Sequence, residues 1–88
     1  MSDEDKQDLR HAVRDVVAVR HPSALTARAI RRSVLNEVVF PVTELDVEAA
    51  AELLVSDGQL SVERDPLGIT KFYKATVAGV LAYERRGH

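Results

Sequence analysis

The side chains able to do acid–base or metal chemistry in this 88-residue chain are three histidines and fourteen carboxylates, with no cysteine beside them. Spacing decides what they can do. His11 and Asp15 stand four residues apart, which on a helix puts them on one face. Two ligands leave a metal site incomplete, because such sites take three or four from the protein. A surface pair is the simpler reading. His21 precedes Pro22 at an expected helix end, where a cation suits the negative pole of the dipole. His88 is the last residue given and is expected to be disordered. Glu48 and Glu52 are again four apart, but acid–base work needs a cleft, and so short a chain has little room for one. No serine sits in a nucleophile-elbow pattern, and no glycine-rich loop offers to cradle a phosphate. The residues therefore predict no catalytic site, no metal and no cofactor. The chain reads as something other than an enzyme.

The charged residues leave two kinds of binding open. The formal net charge of −2 gives no general attraction to nucleic acid. Candidate phosphate contacts are Arg28, Arg31 and Arg32, then Arg64, Lys71 and Lys74, with Arg85 and Arg86 near the end. Between Arg32 and Arg64 there is no lysine or arginine, while Glu37, Glu44, Asp46, Glu48, Glu52, Asp57 and Glu63 fall in that interval. A carboxylate can accept a hydrogen bond from cytosine, but it cannot anchor a duplex whose affinity rests on neutralised phosphates. The other class is a protein partner. Leu45, Glu48, Ala49 and Glu52, with Phe72 added from a neighbouring strand, would suit a partner that is basic and partly apolar.

These residues need elements to hold them. Ser2 with Asp3, Glu4 and Asp5 opens a helix expected over 3–20, ended by Pro22. Leu25 stands alone as a bridge or an anchor. Thr26 caps a helix expected over 26–38, with Asn36–Phe40 either its last turn or an extended loop. Thr43 with Asp46 resembles a capping box for a helix over 44–57, closed by Gly58. Winding it at 100° per residue turns Val47, Ala50, Ala51 and Leu54 inward, and Leu45, Glu48, Ala49, Glu52 and Ser56 outward. Alternation then replaces the helical period. A hairpin is expected over 60–75, turning at Asp65-Pro66-Leu67-Gly68. If Tyr73 and Ala75 point inward, Phe72 and Lys74 point outward; in the other register Phe72 covers the edge of the core and Tyr73 is exposed. Thr76 caps a last helix over 77–86, with Val77, Val80 and Leu81 inward and Gly87 ending it. The expected core is Val13, Val16, Ile30, Val34, Ala50, Leu54, Leu60, Val62, Val80 and Leu81. The class is α+β, mostly helical, in a single small domain over 1–88. No apolar run reaches membrane-spanning length and the start is acidic, so no membrane is expected. The lack of cysteine suits a reducing cytoplasm. Neither terminal helix shows a second apolar face, which points to a monomer.

Three short motifs carry a resemblance. Tyr73-Lys74-Ala75-Thr76-Val77-Ala78-Gly79 is similar to the Tyr, any residue, Leu, Thr, two residues, Gly with which PadR- and MarR-type winged helices leave the wing, with Ala75 at the Leu position. Asp57-Gly58-Gln59-Leu60 resembles the Asp-Gly-x-Leu that closes their recognition helix, and Leu25-Thr26 their entry into helix two. A fainter likeness, tied to no single motif, is to small winged-helix proteins of Mu-like prophages. The resemblance covers nearly the whole chain. It implies a winged helix, three helices with a two- or three-stranded wing and a C-terminal helix. It also implies a DNA-binding or transcription-regulatory role, with backbone contacts from the wing and helix two. The alternative left open by the residues is a protein-interaction winged helix using the acidic outer face of helix three.

Overall fold

Ser2 and Thr43 open two helices by the same device. The Ser2 hydroxyl accepts from Asp5 N at 3.0 Å while the Asp5 carboxylate accepts from Ser2 N. Thr43 and Asp46 repeat the exchange at 3.1 and 2.9 Å. Asp thus serves where Glu or Gln is usual in a capping box. Thr26 and Thr76 cap the other two helices through Ala29 N and Gly79 N. The computed structural model describes residues 1–86. Gly87 and His88, and with them the expected helix end at Gly87, lie outside the described residues. Among the described residues the order is α1 (Asp3–Val19), α2 (Ala27–Val34), α3 (Glu44–Ser56), β1 (Leu60–Arg64), β2 (Lys71–Ala75) and α4 (Val77–Arg85). This is a mostly helical α+β arrangement. None of these helices is long and apolar enough to cross a membrane.

β1 and β2 pair antiparallel, with Leu60 opposite Ala75, Val62 opposite Tyr73 and Arg64 opposite Lys71. Leu25 adds a one-residue bridge on the outer side of β2, exchanging both backbone hydrogen bonds with Tyr73 at 2.8 Å. The turn closes as its residues predict. Gly68 takes a left-handed φ of 71° and donates to Asp65 O, and the Asp65 carboxylate accepts from Ile69 N. The core gathers Val13 and Val17 of α1, Ile30 and Val34 of α2, Val47 and Leu54 of α3, and Leu60 and Tyr73 of the hairpin. Tyr73 is fully buried, so of the two registers the one with Tyr73 inward holds.

Two expected elements are corrected. α2 stops at Val34 instead of running to 38, and residues 35–37 form turns. Pro41 disfavours helix at Phe40, and the β-branched Val38 and Val39 favour extended geometry. The resulting loop leaves Val39 fully exposed. α4 is rotated from its expected register. Val77 is 74% and Leu81 40% exposed, where both were expected inward, and Val80 and Val62 are half-buried. The cause is Gly79. A Cβ there would overlap the backbone oxygen of Gln59, so the glycine must face the end of α3 and carries Val80 and Tyr83 inward with it. Thr76 completes this joint. Its hydroxyl donates to Gly58 O at 2.6 Å and its N–H to Gln59 O at 3.1 Å. Gly58 supplies the left-handed φ of 77° that ends α3.

Candidate interaction surfaces

The outer side of α3 is open along its length. Leu45 is 74% and Leu53 51% exposed, and Ala49 lies exposed between them. These three recur every fourth residue and make an apolar stripe. Leu53 was not among the outer-face residues expected from the helical wheel. It stands about 70° round from the centre of that face, and only the way α1 packs decides that it stays uncovered. Glu48 borders the stripe on the hairpin side and is half-buried.

Glu52 does not stand free. One of its oxygens, Oε1, accepts from Tyr73 Oη at 2.9 Å and from Lys71 Nζ at 3.1 Å. These donors hold its carboxyl below the usual carboxylate range, the tyrosine contributing most and Lys71 next, against a smaller opposing effect of burial. Burial pushes the Tyr73 phenol up, and the Glu52 carboxylate adds to this both as hydrogen-bond partner and as charge. α3 is therefore latched to β2 by its own outer carboxylate. Lys71, expected as a free phosphate contact, is engaged here. Glu52, expected to meet a partner, is engaged by the same bond.

The hairpin divides its remaining candidates. With a side-chain period of two, Lys71, Tyr73 and Ala75 share one face with Leu60, Val62 and Arg64. Phe72 and Lys74 share the other with Ser61 and Glu63. Arg64 is exposed and close enough to act on the charge of Glu52. The three hairpin cations thus do not form one rim. Phe72 is not brought to the α3 face, because it points to the opposite side of the hairpin from the residues that contact α3. On α2, Arg28 and Arg32 are exposed. Arg31 is tied down, its Nε donating to Val42 O at 2.6 Å, and so anchors the loop before α3. A hydrogen bond from a guanidinium to a main-chain carbonyl leaves no sequence signal.

Two concavities flank α1. A shallow groove of about 140 Å³ runs between α1 and α3, bounded by Met1, Lys6, Leu9 and Arg10 on one wall and Asp46, Ala49, Ala50 and Leu53 on the other. It continues the apolar stripe of α3 onto α1. A larger one of about 700 Å³ lies between α1, the loop after α2 and Tyr83. Its His11 is exposed, and its Asp15 is bonded to Arg14 at 3.0 Å and Arg86 at 3.3 Å, so the helical His11–Asp15 pair is not one unit. The Arg86 guanidinium also stacks 3.8 Å from the centre of the Tyr83 ring.

No family model and no curated protein matches the chain. Among solved structures it is similar to human N-acetylserotonin methyltransferase, crystallised with SAM. The likeness covers 85% of this chain and 20% of that one, with a TM-score of 0.61 and 23% sequence identity. At that identity it speaks to the fold alone. The chain spans about a fifth of the methyltransferase's length.

Proposed function

We propose that this chain is a winged-helix module that acts without catalysis, by binding a protein partner through the outer face of α3. The short caps, the Leu25 bridge beside β2, the hairpin as wing and the Gly58–Gly79 joint support the winged-helix reading. One observation carries the choice of partner. The apolar stripe Leu45–Ala49–Leu53 is open, while Lys71 of the hairpin is engaged by Glu52 of the same helix. A helix entering the major groove draws on cations to neutralise phosphates, and α3 carries none. The lack of cysteine suits a reducing cytoplasm, and the module is read as a monomer until it meets its partner.

A second reading, duplex DNA, keeps a specific observation in its favour. Arg28 and Arg32 on α2 and Arg64 on the hairpin are exposed, and among the described residues none of them is in an ion pair. They would contact phosphates, with Lys74 added from the far side of the wing. Titration of the protein with random-sequence duplex DNA over a range of salt separates the two. The protein-partner reading expects no measurable binding near 0.15 M salt. The DNA reading expects an affinity falling linearly on a log–log plot, by about 0.9 per phosphate contact, and a slope about one unit flatter for each of Arg64→Ala and Lys74→Ala.

A further inference from the structure

The α3 face carries more than one sign of charge, and its two edges differ. Toward the hairpin the stripe is bordered by Glu48, with Glu52 beyond it held by Lys71 and Tyr73. Toward α1 it is bordered by Lys6 and Arg10, which frame the shallow groove together with Met1 and Leu9. Asp46 lies in that wall too, with its Oδ2 accepting from Thr43 N, so two cations face one carboxylate along this edge. Among the described residues, Glu48, Lys6 and Arg10 are in no ion pair.

We propose that this face is a docking site for an amphipathic helix laid along α3, with apolar residues at every third or fourth position, cations on its hairpin-side edge and carboxylates on its α1-side edge. This rests on the protein-partner reading and replaces its generally basic partner with one of mixed edges. Ala49, small and central between two leucines, lets the incoming backbone approach closely. Helix-in-groove recognition uses such a stripe for affinity and its borders for choice of partner. The edges also fix direction, because turning the helix end for end sets cation against cation and acid against acid.

Three designed helical peptides with one shared leucine stripe test this against the intact protein, by calorimetry and with labelled amides. One has a lysine edge and a glutamate edge, one has two lysine edges, one has two glutamate edges. The mixed peptide is expected to bind about tenfold more tightly than either other. Glu48→Lys should move the preference to the glutamate-edged peptide, and Lys6→Glu with Arg10→Glu to the lysine-edged one. All three positions lie outside the core, and circular dichroism checks that each variant is folded. Tightest binding by the lysine-edged peptide to the unaltered protein would overturn the mixed-edge assignment while leaving a basic partner in place. Binding by none of the three would overturn both this proposal and the protein-partner reading beneath it. Self-association of the protein alone, abolished by Glu48→Lys, would show a second copy on this face and also overturn the proposal.

Discussion

The joint where α3 meets α4 and the outer face of the same α3 are built from neighbouring residues under opposite constraints. At the joint, Thr76 satisfies two carbonyls, Gly58 supplies a positive φ, and Gly79 admits the Gln59 backbone. Each position tolerates few residue types, and the pattern appears as a motif. On the outer face, the side chains of Leu45, Ala49 and Leu53 stand exposed. The comparison separates geometry that folding requires from surface that folding leaves alone. Function must be sought on the second kind, where a single sequence is least informative.

Substitutions can break this contrast or sharpen it. Leu54→Ala, on the buried side of α3, should have the largest effect, a loss of about 2–5 kcal/mol in urea unfolding. A smaller loss than at an exposed leucine would mean that the inner and outer faces of α3 are wrongly assigned. Gly79→Ala should follow at about 1–3 kcal/mol, because the added methyl must push the Gln59 carbonyl away. A neutral Gly79→Ala would show that the joint is not constrained by close approach.

The latch between α3 and β2 should matter less. Tyr73→Phe and Glu52→Gln should each cost about 1 kcal/mol or less, since the Glu52 side chain is 45% exposed and partly screened. The pH dependence has a fixed sign. Glu52 has a folded pKa below its unfolded value, so its contribution is present above the unfolded value and is lost as pH falls through the folded one. Urea midpoints of Glu52→Gln and the parent should differ at pH 7 and converge below about pH 4. Tyr73 is the opposite case. Its raised folded pKa gives a contribution fully present below the unfolded value near 10 and lost above it, so alkaline pH should weaken the parent more than Tyr73→Phe. The smallest effect on stability belongs to Leu45→Ser with Leu53→Ser, expected within about 0.5 kcal/mol of the parent for each change. The same pair should abolish docking of an amphipathic helix on α3.

Much of the fold was legible because caps and turns act locally. Ser2, Thr26, Thr43 and Thr76 each cap the helix their position announces, and Asp65 to Gly68 turn the hairpin. The rotation of α4 was not legible. Val77 and Leu81 follow a sound apolar spacing, and a backbone contact at Gly79 overrides it. The end of α2 was only half visible, since Asn36 to Phe40 contains helix-compatible and extended residues together. At the candidate surface, the acid content of α3 and its open apolar side could be read directly. The pairing of Lys71 with Glu52 could not, because nineteen residues separate them and only the hairpin register joins them. The period of two separates Phe72 and Lys74 from Tyr73, but which of the two faces meets α3 shows only once the strands are placed. Lys6 and Arg10 carry no signal of their own, because ordinary helix-surface cations acquire meaning only beside Leu53.

The central claim is that ligands meet this molecule on α3 and not on α2 and the hairpin. Amide NMR of the labelled protein, titrated in turn with the mixed-edge helical peptide and with random-sequence duplex DNA at about 0.15 M salt, tests it most directly. The account predicts that the peptide shifts Lys6, Arg10, Leu45, Ala49 and Leu53 and that the duplex leaves the spectrum unchanged. Duplex-induced shifts at Arg28, Arg32, Arg64 and Lys74, with α3 silent to the peptide, would contradict it.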